Sequence, residues 1–159
     1  MRRLALWFTL LILGAGLLGA QSLTDNSYYK RSLELRALAT QSFDDGDYDA
    51  AANYAAQAQE YAKLSDQFVD KMLAMTAANA SITTAKDSQA KAQAAKAPDL
   101  RPTEYSSAAD LLAQAMDLYS KDTAEDYVAA KAKADQSIAA FADLARLMQA
   151  DYEAQLAAN

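Results

Sequence analysis

The densest group of acidic side chains lies at residues 44–49, where the sequence reads Asp-Asp-Gly-Asp-Tyr-Asp. Clustered carboxylate oxygens are the ligands that Ca²⁺ prefers in proteins. The spacing does not fit a calcium-binding loop, because with Gly46 in the glycine position the closing Glu is replaced by Ala52. We therefore predict no metal site. The run is typical of a turn between two helices, with Asp47 as the N-cap of the second helix.

Other side chains with catalytic chemistry are few. The chain has no Cys and no His, which excludes thiol nucleophiles, disulfides, zinc and haem ligation through these residues, and the commonest general base. The neighbouring carboxylates of Glu125 and Asp126 have the right type for acid–base catalysis. No Gly-rich loop or strand pattern surrounds them, so a solvated helix start is the better interpretation. We predict a protein that is not an enzyme and carries no cofactor.

Nine tyrosines form the remaining group, and Tyr can line a sugar or ligand site because it has an apolar face and a polar tip. Most of them fall on apolar stripes of predicted helices, where core packing is the simpler role. These are Tyr48, Tyr54, Tyr61, Tyr105, Tyr119, Tyr127 and Tyr152. We expect Tyr28 and Tyr29, near the start of the first helix, to be exposed contacts.

Composition predicts an all-α protein with an acidic surface. Only four Gly and two Pro occur in 159 residues, and the chain is rich in Ala, which favours helix nearly everywhere. The formal net charge is −6. Such a field repels phosphate backbones and anionic lipid surfaces, so we expect neither nucleic acid nor a membrane surface as a partner.

The first twenty residues have the pattern of a secretory signal peptide. Arg2 and Arg3 precede the apolar stretch Leu4–Leu13, and small residues lead to Ala20, after which we predict cleavage. This predicts a periplasmic protein with no membrane association beyond the signal. The alternative is an uncleaved inner-membrane anchor, since a helix from Leu4 to Ala20 would span roughly 25 Å against a hydrocarbon core of ~30 Å.

Turn-forming residues divide the rest of the chain into four helices. They lie at 44–47, at 97–102 and, more weakly, at 121–123. We predict two helical hairpins in a repeat-like, antiparallel coiled-coil or bundle arrangement, with domains at 21–97 and 98–159. The second helix has no breaker between Asp47 and Pro98 and is therefore very long. Its last part, 83–97, is mostly Ala, Lys and Gln, which predicts a solvated spacer.

Large side chains recur every seven residues along this long helix, at Tyr54, Tyr61, Phe68, Met75 and Ile82. Each stands three residues after a second position, occupied in turn by Ala51, Ala58, Ser65, Met72 and Asn79. Helices pair along such seven-residue seams, and small side chains let the partner approach closely. We take the five large residues as the candidate interaction seam. Asn79 either fixes its register or marks where it ends.

Residues 35–58 resemble one tetratricopeptide repeat, a helix–turn–helix unit. The matching positions are Leu35, Leu38, Ala39 and Phe43 in the first helix, Gly46-Asp47-Tyr48 in the turn, and Ala51, Tyr54 and Ala58 in the second helix. The second half, from Ala97-Pro98 onward, resembles a family of unknown function made of Ala-rich helical hairpins in bacterial envelope proteins. These resemblances imply a helical hairpin that binds proteins, and an envelope location.

The sequence therefore predicts a periplasmic, non-enzymatic protein–protein interaction module, an adaptor or scaffold that binds a protein partner or itself. Two alternatives remain open. One is a small-ligand-binding helical bundle that serves a transport system as an accessory subunit, and the other is a structural coiled-coil spacer.

Overall fold

The computed structural model describes residues 26–158, and the predicted signal peptide at 1–20 lies outside them. The described chain is all-α, as predicted, and contains no strand. Its five helices are α1 (Ser27–Asp44), α2 (Tyr48–Ala94), α3 (Ala97–Leu100), α4 (Pro102–Tyr119) and α5 (Ala124–Ala157). Among the described helices, none combines the length and the hydropathy that a membrane crossing requires.

The acidic run forms the turn between α1 and α2. Gly46 adopts a left-handed φ of +83°. Its N–H donates to the carbonyl of Phe43 at 3.1 Å, and the N–H of Asp47 donates to the carbonyl of Ser42 at 2.9 Å. This pair of bonds is a Schellman motif, which satisfies the last carbonyls of α1. The Asp47 carboxylate then accepts the N–H of Ala50 at 3.0 Å, which confirms the predicted N-cap.

Helix α2 is unbroken over 47 residues, as the sequence predicts. It ends where Lys96 turns to a left-handed φ of +60°. The predicted break that follows is in fact a single helical turn, α3, in which Pro98 lies within the first turn. Proline is tolerated there because the first N–H groups of a helix have no intrahelical partner.

The chain forms two compact units that meet within α2, the first ending at Asp70 and the second beginning at Lys71. The boundary between these units thus lies within α2 and differs from the predicted division at 97/98. The second half of α2 supplies buried residues to a core that it shares with α4 and α5, so it belongs with the C-terminal helices.

The second unit is a three-helix bundle with three layers of core. Ala78 packs with Tyr127 and Ala130, and Ile82 and Ala85 pack with Leu112, Ala115 and Ala134. Ala97 and Ala108 pack with Phe141 and Leu144 in the third layer. From the first layer to the third, the residue numbers rise along α2 and α5 and fall along α4. Helices α2 and α5 therefore run in the same direction, and α4 runs in the opposite one. The hydroxyl of Ser137, fully buried, donates to the carbonyl of Ala108 at 2.8 Å.

The prediction that 83–97 is a solvated spacer is wrong. Ala85 and Ala97 are fully buried, and Ala92 packs against the third layer of the core. Sequence patterning missed these contacts because alanine contributes little hydrophobicity to a stripe. Its small side chain nevertheless lets neighbouring helices come close.

The first unit, by contrast, has a small core. Among its described residues, the buried hydrophobic side chains are those of Leu35, Ala51 and Ala58. The start of α1 is fixed by a buried hydrogen bond of 2.9 Å from the Asn26 amide to the hydroxyl of Ser65.

A polar cluster closes the end of the second unit at the α4–α5 turn. The hydroxyl of buried Tyr127 donates to the carboxylate of Asp122 at 2.6 Å, and Lys71 lies 3.0 Å from the same carboxylate. The hydrogen bond from the Tyr127 hydroxyl contributes most, and Lys71 contributes next, to holding the pKa of Asp122 below its usual value. The hydrogen bond and burial raise the pKa of Tyr127 to about 12.

Replacement of Gly46 by alanine should lower the free energy of unfolding by about 1 kcal/mol, because a Cβ is strained at positive φ. A Cβ there meets no atom within 4 Å, so backbone strain alone is tested. The control is Asp45→Ala, at a neighbouring residue with φ −76°. Urea unfolding measures both variants, and equal stabilities would contradict the assignment.

The free energy of unfolding should fall as pH rises from about 10 to about 12. The unfolded chain loses the Tyr127 proton near the ordinary pKa of about 10, whereas the folded chain keeps it to about 12. Tyr127→Phe should reduce this dependence. Urea unfolding at several alkaline pH values measures it, and an unchanged slope in the variant would contradict the role of this hydroxyl.

Candidate functional site

The structure divides the candidate seam between the two units, and its C-terminal part is internal. Ile82 is only 6% exposed and packs within the core, and half-buried Met75 packs against Ala78, Tyr127 and Ala130. Ile82 is therefore not accessible to a partner in this fold, whereas Met75 remains partly exposed. Asn79 is exposed, which fits the end of the seam rather than a register-fixing role.

The N-terminal part of the seam lies in the first unit. Tyr54, Tyr61 and Phe68 are half-buried there, while their small companions Ala51, Ala58 and Ser65 are buried. The ring of Phe68 lies 6.3 Å from that of Tyr28, which is 38% exposed. These three large residues thus remain partly accessible, and their role in binding stays a prediction.

A shallow apolar groove runs along the first unit between α1 and α2. Two adjoining cavities of ≈ 490 and ≈ 430 Å³ form it, and both are lined by Ala39, Thr40 and Ala55. We call it the alanine groove because further alanines complete its lining: Ala51, Ala52, Ala58 and Ala62. Arg36 and Gln59 are the polar side chains at one end.

An exposed aromatic pair lies at the other end of the alanine groove. Phe43 and Tyr48 meet edge to face with ring centroids 5.3 Å apart, yet they are 62% and 63% exposed. The expectation that Tyr48 belongs to the core is wrong. The two aromatic residues flank the α1–α2 turn, and within the first unit no described helix covers that side.

The second unit carries a deeper groove of ≈ 540 Å³ between the end of α2 and α5, which we call the α2–α5 groove. Buried Phe141 and Leu144 and half-buried Met148 line its base. Leu100 and Tyr152 line it as well and are 64% and 57% exposed. The prediction that Tyr152 is a core residue is therefore wrong.

Lys91 is the one charged residue among the described residues that line the α2–α5 groove. It makes no ion pair with a described carboxylate. The nearby Arg101, in contrast, holds Asp151 with two hydrogen bonds of 2.7 and 2.8 Å and also bonds Glu104. These bonds raise the pKa of Arg101 and tie the start of α4 to α5.

Sequence reasoning did not find the α2–α5 groove, because a stripe of core residues gives no sign of which members a third helix leaves uncovered. The sequence signal that could have revealed this groove was the difference in length between two helices. Helix α5 has 34 residues against 18 in α4. Within the described range, no three His, Cys, Asp or Glu side chains are grouped so that they could hold a metal ion.

The chain is similar to Treponemal membrane protein B of Treponema pallidum (strain Nichols). The two are 31% identical over 86 residues, which are 54% of this chain and 26% of the relative. The chain thus matches about a quarter of that protein's length. No family model matches the chain, and no solved structure matches it.

Replacement of Phe141 by alanine should lower the free energy of unfolding by about 3 to 5 kcal/mol, because a buried aromatic ring is lost from the base of the α2–α5 groove. Tyr152→Ala, at an exposed residue of the same groove, should change it by less than about 0.5 kcal/mol. Chemical denaturation measures both. Similar losses in the two variants would contradict the assignment of base and rim.

Proposed function

We propose that this chain is a non-enzymatic protein-interaction module of the bacterial cell envelope, an adaptor or scaffold. The observation that carries the proposal is the alanine groove with its exposed aromatic pair. A hairpin with so few buried hydrophobic side chains leaves apolar surface that a partner can cover.

The lining of the alanine groove favours an α-helix as the occupant. Alanine side chains let two helix backbones approach closely, and a row of them along α2 offers a continuous track. Phe43 and Tyr48 would anchor one end of the partner helix, since aromatic residues supply much of the binding energy at protein interfaces. Arg36 makes no ion pair with a described carboxylate, so it favours a partner helix with an acidic residue at that end.

The resemblance to a tetratricopeptide repeat supports the same interpretation. One such repeat cannot bury its hydrophobic face alone, and the next helix of an array covers it. In a chain with a single repeat-like hairpin, we propose that a partner's helix takes this place.

The envelope location rests on two observations. The N-terminal residues have the composition of a secretory signal, and the similar treponemal protein carries the name of a membrane protein. The location proposed here is the periplasm, with an inner-membrane anchor if the signal is not cleaved.

The test compares two arginine substitutions at exposed alanines of α2. Ala55 lines the alanine groove, whereas Ala56, the next residue, does not line it. Ala55→Arg should block the groove with a long charged side chain and reduce partner recovery at least about tenfold, a loss of about 1.4 kcal/mol. Ala56→Arg should recover the partner like the wild type.

The measurement is crosslinked affinity capture of the tagged chain from intact envelopes, followed by mass spectrometry. Thermal unfolding of both variants controls for folding. A dominant partner that is lost only with Ala55→Arg supports the proposal. Equal capture by both variants contradicts the role of the groove, and recovery of this chain alone would replace the adaptor with a self-associating scaffold.

A further inference from the structure

The α2–α5 groove is a second candidate site, independent of the alanine groove, and its lining differs in kind. Large side chains such as Leu100, Phe141 and Met148 line it, and small ones on α2 and α5 stand between them. Large side chains hold a partner helix away from the backbone, but they give a slim apolar ligand many contacts. Methionine also adapts its shape to an irregular ligand.

The groove has the length of a hydrocarbon chain. Its lining on α5 begins at Ile138 and ends at Tyr152, which corresponds to about 21 Å along the helix axis. One leaflet of a bilayer, about half of a ~30 Å hydrocarbon core, gives each acyl chain about 15 Å. A single acyl chain therefore fits along the groove without leaving it.

Charge selects the head group of such a ligand. Lys91 is the one charged side chain in the lining of the described groove, and no described carboxylate neutralises it. Its neighbours in the lining, Ser88 and Gln149, are uncharged. The acidic surface of the whole chain is screened beyond about 8 Å at physiological salt, whereas a direct contact with Lys91 is not.

From this geometry we propose that the α2–α5 groove binds an anionic amphiphile with one acyl chain. The acyl chain of this ligand lies against Phe141, Leu144 and Met148, and its anionic head group contacts the ammonium of Lys91. This is a ligand-binding activity in addition to the proposed adaptor function, and it requires no contact with the first unit.

The probe is sodium hexadecanoate, added below its micelle-forming concentration to the purified full-length chain. Isothermal titration calorimetry measures the affinity and thermal unfolding measures the stabilisation, since a ligand that binds only the folded state raises Tm. Hexadecanol, which lacks the carboxylate, tests whether binding needs the negative charge of the ligand. Acetate, which lacks the long hydrocarbon, tests whether binding needs the acyl chain. Monoacyl glycerophosphate distinguishes a phosphate head group from a carboxylate.

Two variants and two matched controls separate the site from the surface. Lys91→Gln should weaken hexadecanoate binding about fivefold to tenfold and leave hexadecanol binding unchanged, because a charge-assisted contact is lost. Lys86→Gln, at an exposed lysine outside the lining, should have no effect. Ala145→Trp fills the groove and should abolish binding of both probes, whereas Ala150→Trp, outside the lining, should not.

The proposal is supported if hexadecanoate binds, acetate does not, and the two groove variants differ from their controls as stated. It is overturned if hexadecanoate fails to bind or stabilise the wild type, or binds Ala145→Trp as tightly as Ala150→Trp. Equal effects of Lys91→Gln and Lys86→Gln would overturn the assignment of the head group. Binding of this probe is measured without any protein partner, so its failure leaves the adaptor proposal unaffected.

Discussion

Close approach of helices across alanine is the constraint on which the rest of this structure depends. Ala78, Ala85, Ala108, Ala115 and Ala134 are all fully buried at helix contacts in the second unit. A methyl group removed from water stabilises a fold by only about 0.8 kcal/mol, so a protein of this kind needs many contacts and long helices. The unbroken 47 residues of α2 and 34 residues of α5 supply them.

The two units meet this constraint to different degrees. In the second unit a few large side chains, among them Leu112, Tyr127 and Phe141, fill the spaces that the alanines leave between three helices. The described part of the first unit has two helices and, as its one large, fully buried hydrophobic side chain, Leu35. Its alanines lie partly on an open groove, and this is the physical basis of the proposed interaction function. The second unit leaves a different kind of surface, because α5 is longer than the helix α4 that packs on it.

The parts of the structure that follow from local rules were predictable from the sequence. The helical class follows from composition, and the α1–α2 turn from Gly46 and Asp47. The start of α5 follows from Thr123, whose hydroxyl accepts the N–H of Asp126 at 3.1 Å. The seven-residue pattern also located the buried positions Ala51, Ala58 and Ser65.

The sequence-based predictions that failed are those that depend on which helix packs against which. The sequence pattern could not show that Ile82 packs against α4 and α5 while Tyr54 stays partly open, since both belong to one seven-residue series. It also treated Ala85 and Ala97 as solvated, because an alanine in a polar stretch has the same pattern whether it faces water or a neighbouring helix. The exposure of Phe43 and Tyr48 could not be predicted for the same reason. Their stripe is apolar, but no described helix of their unit covers it.

The central claim is that the first unit is incomplete without a partner. Hydrogen–deuterium exchange of the full chain alone tests this most directly, because α2 passes through both units as one helix and provides an internal comparison. We predict lower protection of backbone amides at 48–70 than at 71–94, since local stability follows the apolar contacts that hold a segment in place. Equal protection along the whole of α2 would mean that the hairpin is as stable as the bundle, and would contradict the account.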